Sequence, residues 1–218
     1  MGRQELYAEI LDDVVGALWQ RDELEKHRVT SHPPLKRIVV GVDPAATSNA
    51  TSDETGIICV GLGEDGHGYV LDDVSLRGTP NDWGRAAVSA YHKFSADRIV
   101  AESNQGGEMV ALTLRTVDPD VPIKLVHASQ GKQTRAEPIS SLYEQGRIHH
   151  HGFHATLENQ MTEWVPGVGS SPDRVDALCY ALTELMLGHK AQPTVSPTNL
   201  VSGSHWNISG GGLHNLKF

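Results

Sequence analysis

Three runs of β-branched and apolar residues crowd into positions 37–76, with short connections between them, and they limit the folds open to this chain. Residues 37–42 (RIVVGV) have the pattern of a strand buried on both faces, and residues 56–62 (GIICVGL) repeat it. The turn Gly63-Glu64-Asp65-Gly66 leads into a third run over 69–76. Strands joined this closely predict an antiparallel meander. A sheet of that kind needs helices to cover it.

The remainder of the chain supplies them. Thr79-Pro80 has the form of a helix start, and Trp83, Ala87, Ala90 (or Tyr91) and Phe94 then recur on one apolar face. Residues 98–102 (RIVAE) predict a strand ending in an acid, 106–116 a helix, and 122–126 (PIKLV) another strand. Thr134 and Glu137 stand at capping-box spacing, and Gly146 suits a C-terminal stop. Residues 173–187 form the clearest helix, with Val175, Leu178, Cys179, Leu182, Leu185 and Met186 on one side. Upstream, Leu6, Ile10, Val14 and Leu18 or Trp19 predict a helix over 3–28, interrupted near Gly16 and stopped by Pro33-Pro34. The order βββ followed by αβαβ and further helices predicts an α/β fold. Its mixed sheet combines an antiparallel meander with parallel strands, is flanked by helices and has the first strand at its centre.

No apolar run approaches the roughly 20 residues of a membrane span, and no membrane role is expected. Cys59 and Cys179 each sit in an apolar stretch and are expected to be buried free thiols. The net charge of −9 weighs mildly against a nucleic-acid partner. It is not evenly spread, however. Between Lys124 and His154 there are four Lys/Arg (Lys124, Lys132, Arg135, Arg147) against two Glu (Glu137, Glu144), with five histidines at 127, 149, 150, 151 and 154. Acids gathered to bind metal would also be miscounted as repelling DNA.

Such acids stand at the ends of the predicted elements. Asp43 follows the first strand, Glu102 ends RIVAE, and Asp173 and Asp176 open the last long helix. Each has a plainer reading: Asp43 as a turn residue before Pro44, Glu102 as a cap, Asp173 as a complement to the helix dipole. Taken together, carboxylates at the mouths of apolar strands are costly unless paired or metal-bound. Hard oxygen ligands suit Mg²⁺ or Mn²⁺, and two such ions could drive phosphodiester hydrolysis. Lys132 and Arg135, beside a predicted helix start, are candidate phosphate contacts, and Arg147 is a third candidate for DNA. The run His149-His150-His151 is expected to form a surface turn, since neighbours in a strand alternate faces and cannot share one ion.

Three of these segments resemble the acidic motifs of phage large-terminase nuclease domains: Gly41-Val42-Asp43-Pro44-Ala45, Val100-Ala101-Glu102-Ser103-Asn104, and Ser171-Pro172-Asp173-Arg174-Val175-Asp176-Ala177-Leu178. The stretch from Gly131 through Lys132, Arg135 and Glu137 to Leu142-Tyr143-Glu144-Gln145-Gly146-Arg147 is similar to a more distinctive signature of that family. Gly16-Ala17-Leu18-Trp19 resembles the linker that follows a terminase ATPase domain.

The resemblance implies an RNase H-like domain that cuts concatemeric viral DNA during packaging into a procapsid. Asp43, Glu102 and Asp176 match the metal-binding acids and Asp173 a neighbouring position that assists them. It implies double-stranded DNA, portal protein and small terminase subunit as partners, in the host cytoplasm at the procapsid. No GxxxxGK[ST] motif is present. The expectation is an excised domain with Met1-Gly2 an artificial start: 1–36 a helix and linker left from the junction with an ATPase, 37–188 the nuclease, and 189–218 a flexible tail. A junction resolvase or transposase-type core, and a non-catalytic docking module of the packaging motor, remain as alternatives. A sugar-kinase or actin-like ATPase is disfavoured, since neither glycine-rich phosphate loops nor a duplicated domain is visible.

Overall fold

A computed structural model describes residues 14–44, 54–103, 107–127, 131–169 and 172–188. The expected tail, and the first part of the expected N-terminal helix, lie outside them. A short helix α1 (Arg21–Lys26) precedes strands β1 (Leu35–Asp43), β2 (Gly56–Gly63) and β3 (Gly68–Asp73). Helix α2 (Pro80–Lys93), β4 (Arg98–Glu102), α3 (Gly107–Val117), β5 (Ile123–Val126) and α4 (Lys132–Glu144) follow. Last come β6 (Ile148–His150), α5 (Ala155–Glu163) and α6 (Asp173–Leu182), the latter continued by a π-helical turn, Thr183–Leu187.

The six strands form one mixed sheet in the order β5-β4-β1-β2-β3-β6. The β1–β2–β3 meander is antiparallel, β4 and β5 run parallel to β1, and β6 runs parallel to β3. The expected α/β architecture is therefore present, with β1 inside the sheet. One face packs under α2 and α3 through Val40, Val42, Ile57, Ile99 and Trp83. The other carries α4, α5 and α6 over Val39, Ile58, Val60, Val100 and Leu178. Strand alternation sends consecutive residues to opposite cores. That is why residues 38–42 of β1 and all of β2 carry no polar side chain. Cys59 and Cys179 are buried free thiols, as expected.

Helix α6 lies unusually close to the sheet. A Cβ added at Gly41 would overlap the Ala177 carbonyl, and one at Gly56 the Asp173 carbonyl. These two glycines let the helix axis settle onto β1 and β2, and they set the height of every α6 side chain above the strands.

Four local expectations need correction. Among the described residues of the predicted helix over 3–28, only Arg21–Lys26 is α-helical. Trp19 lies outside it and is buried, edge-on to Tyr143 and tilted against Trp164, and Leu24 joins the same core. Burial of the indole overrides the local helical pattern. Strand β3 is continuous only to Asp73, where the Asp73 side chain accepts a hydrogen bond from the Ser75 N–H and interrupts the ladder; the chain pairs again at Leu76, with Thr55. Helix α4 starts two residues before Thr134, with Gly131 as its N-cap, so the expected capping box does not form. Glu137 instead accepts from the Gln133 side-chain amide.

The fourth concerns the histidine run, which is not a surface turn. His149 and His150 lie in β6, and His150 is only 1% exposed. Its ring lies 2.8 Å from both the Tyr143 hydroxyl and a Glu158 carboxylate oxygen, and Arg28 grips Glu158 from the N-terminal segment. Burial holds His150 below its ordinary pKa, so it is neutral, and Arg28 is the ionic partner of Glu158.

Candidate active site

Strand alternation also decides which polar side chains meet. On β1, Arg37, Val39, Gly41 and Asp43 share the face beneath α6; on β4, Arg98, Val100 and Glu102 do the same. The two strands are parallel, with Val42 beside Ala101, so Asp43 and Glu102 emerge at the same sheet end. Asp43 pairs across β2 with Gly56, and over Gly56 stands the backbone of Asp173, which opens α6. Asp176 follows one turn later. Arg174, on the opposite side, fixes this helix start by ion pairs to Glu54 and to Asp73, the latter at 2.8 Å.

The four expected acids are thus brought together. Asp43 is 5% exposed. Burial, then the charges of Asp176, Glu102 and Asp173 and a hydrogen bond with Glu102, push its carboxyl up to about 9. A carboxyl in that position binds a proton near neutral pH unless a cation arrives to replace it.

Lys132 and Arg135, expected to touch phosphate, lie in the first turn of α4 against the same acids. Lys132 Nζ is 2.6 Å from one Asp176 oxygen, and Arg135 is 3.1 Å from the other. Arg135 also donates to the Tyr180 hydroxyl at 2.7 Å and sits over its ring, 5.0 Å from the centroid. The Tyr180 hydroxyl in turn donates to Glu102 at 2.6 Å. Tyr180 therefore ties the two arms of the site together, and the sequence reading missed it. The available signal was spacing: Asp176, Tyr180 and Glu184 recur every four residues, forming a polar stripe beside the apolar one. Arg147 is not brought to the acids. It precedes β6, with its backbone carbonyl bonded to Gly68 and its guanidinium 3.5 Å from the Gly66 carbonyl, at the far end of the sheet.

The residues suit a hard divalent cation: carboxylate oxygens only, converging at the mouth of two buried strands, with one acid held protonated by its neighbours. Among the described residues no three His, Cys, Asp or Glu side chains stand as a ready coordination shell. Lys132 and Arg135 take both Asp176 oxygens, and Tyr180 takes one of Glu102. The cationic side chains of α4 balance the acids in this state.

A family model described as the terminase RNaseH-like domain matches residues 40–185. No curated protein sequence matches the chain significantly. Among solved structures, the large terminase nuclease from thermophilic phage G20c with bound magnesium is 11% identical at a TM-score of 0.57, covering 78% of this chain and 98% of that one. A mutant nuclease domain of the large terminase subunit of bacterial virus Sf6, with manganese and beta-thujaplicinol, is 12% identical at 0.56, covering 76% and 98%. A large terminase from another thermophilic bacteriophage is 14% identical at 0.61; the match covers 81% of this chain and 46% of that longer one. At such identities the structural likeness establishes the fold.

Proposed function

The chain belongs to the family of RNase H-like terminase domains, and on that premise we propose that it is a divalent-metal-dependent endodeoxyribonuclease that cleaves concatemeric viral DNA during packaging. The observation that carries this reading is the nearness of Glu102, Asp173 and Asp176 to the buried Asp43, whose carboxyl burial and these neighbours push up to about 9. Two of the similar structures, terminase nucleases solved with magnesium and with manganese, support the choice of metal.

Asp43, Glu102 and Asp176 would hold Mg²⁺ or Mn²⁺, two ions in the full site, with Asp173 assisting. Bound there, the ions would supply Lewis-acid polarisation of the phosphodiester and a water made acidic enough to attack it. The protein's own groups set the geometry. Tyr180 fixes one Glu102 oxygen, and Arg135 braces Tyr180 and Asp176 together. Lys132 is 43% exposed at its side chain and, once parted from Asp176, can reach a phosphate beside the acids. Arg135, only 13% exposed at its side chain, orients its neighbours.

Double-stranded DNA is the substrate in this reading, and portal protein, small terminase subunit and an ATPase domain are the partners. The work is done at a procapsid in the host cytoplasm. No helix among the described residues is long and apolar enough to cross a membrane. The test is plasmid cleavage with added Mn²⁺ by the wild type and by Asp43→Asn on matched preparations. Equal cutting by the two proteins overturns the assignment.

A further inference from the structure

The polar stripe of α6 continues past the acids to Glu184, and its surroundings differ from theirs. Glu184 is buried at 7% exposure, and three cations surround it: Lys124 at 2.6 Å, Arg37 at 3.3 Å and Arg98 at 3.4 Å. Burial alone would raise the Glu184 carboxyl, yet Lys124, Arg37 and Arg98 hold it below its ordinary value, so it is charged. Lys124 and Arg98 alone set two positive groups against this one carboxylate, on an acidic protein. Lys124 and Arg98 are 46% and 41% exposed at their side chains, open to a further anion.

Between this cluster and the acids lies a cleft of about 310 Å³ formed by β5, α4 and the end of α6. That is near the lower end of the range for small-ligand sites, roughly 300–1,000 Å³. Lys124 and Arg135 face it with cationic groups, while Val126, Pro138 and Leu187 give it apolar walls. Tyr180 and Arg135 line the cleft and also hold Glu102 and Asp176, so it opens directly beside the acids. The Nε–H of Arg135 is buried with no partner among the described residues, a donor lacking its acceptor. Cations at the rim, apolar walls within and a donor to spare match an anionic ligand with a flat apolar body.

We propose that this cleft binds one nucleotide of the DNA strand cut at the neighbouring acids, unpaired and turned out of the duplex, its phosphate at Lys124 and Arg98 and its base between Val126, Pro138 and Leu187. The proposal rests on the nuclease reading for its choice of strand. Its test does not depend on cleavage.

Binding is measured in EDTA, where no metal-dependent cutting occurs, with a single-stranded tetrathymidylate and an abasic tetramer of equal charge as probes. The tetrathymidylate is expected to bind more tightly and to shift the methyl signals of Val126 and Leu187, which the abasic strand leaves in place. Lys124→Ala should weaken the tetrathymidylate about tenfold, the loss of one charged contact. Lys36→Ala removes the same charge from β1, beyond β4 in the sheet, where Lys36 is exposed and bonded to the Glu64 carbonyl, and it should weaken binding far less. Equal affinity for the two probes, unmoved methyl signals, or equal losses in the two lysine variants each overturn the proposal. Absence of plasmid cleavage by the wild type would instead count against the nuclease reading, leaving the binding result intact.

Discussion

Gly41 on β1 lies so near Ala177 on α6 that one added methyl group would overlap the Ala177 carbonyl and crowd the Ala181 methyl, 3.0 Å away. Two residues on from Gly41 is Asp43, and one residue before Ala177 is Asp176. Gly41→Ala is therefore expected to lift α6 and part these acids. Overpacking of this kind costs on the order of 3 kcal/mol, and DNA cleavage should fall further than the lost stability explains. Measuring both below the melting transition separates the effects. A fully active, equally stable variant would show that α6 is not held at this height.

Asp43→Asn keeps the side chain's shape and removes its ability to become a carboxylate when a cation arrives. Cleavage of plasmid DNA with Mn²⁺ should fall by orders of magnitude, because a carboxylate ligand has been lost. Without metal the melting temperature should hold or rise, since folding no longer has to protonate a buried carboxyl that is ionised in the unfolded chain. If Asp43 only shaped the turn before Pro44, asparagine would serve equally well and neither quantity would move.

In the proposed metal site, Lys132 and the metal would compete for Asp176. Lys132→Ala should tighten Mn²⁺ binding measured by calorimetry, yet reduce cutting on unrelated sequences alike, as expected for loss of a phosphate contact. Tighter metal binding together with undiminished cutting would leave the ion pair but remove Lys132 from the DNA path. Arg135→Lys should not restore what Arg135→Ala loses, because one ammonium lacks the planar fork that reaches Asp176 and Tyr180 together.

Acid should destabilise the protein through the buried network around Glu158. Burial works against the Glu158 charge, but hydrogen bonds from His150 and Arg28 prevail and hold its carboxyl at about 2, against an ordinary 4.5. A depressed acid contributes stability above its unfolded value and loses it as pH falls toward the folded one. His150, held below its ordinary 6.5 by burial, acts in the same direction below that pH. The melting temperature should fall as pH drops from about 6.5 toward 2, and Glu158→Gln should flatten the lower part of that fall. At neutral pH the variant should lose roughly 3–5 kcal/mol, the cost of leaving Arg28 without its buried partner. An unchanged acid limb in Glu158→Gln would place the sensitivity elsewhere.

The acidic site was legible in the sequence because its ingredients are local. An apolar strand fixes the face of the residue that ends it, and Asp43 and Glu102 each directly continue such a strand. Helix α6 likewise declared itself by periodicity, placing Asp173 and Asp176 in its first turns. The polar stripe through Tyr180 and Glu184 was equally present, but spacing alone does not tell a solvated face from one that meets Glu102 or three cations. Only the packed partners decide that.

Sheet order and long-range burial were settled by tertiary structure. A strand's pattern carries its period and not its neighbours, so nothing local placed β6 at the far edge, with Arg147 remote from the acids. His150 has the polarity of a surface residue until Glu158, Tyr143 and Arg28 enclose it, and Arg28 lies 130 residues from Glu158. Trp19 left its predicted helix for the same reason: the core it fills is built by Tyr143 and Trp164. By itself the sequence determined which residues end each strand and line each helix face. The tertiary structure decided which of those ends meet, because burying a charge or an indole is favourable only where distant segments supply its partners.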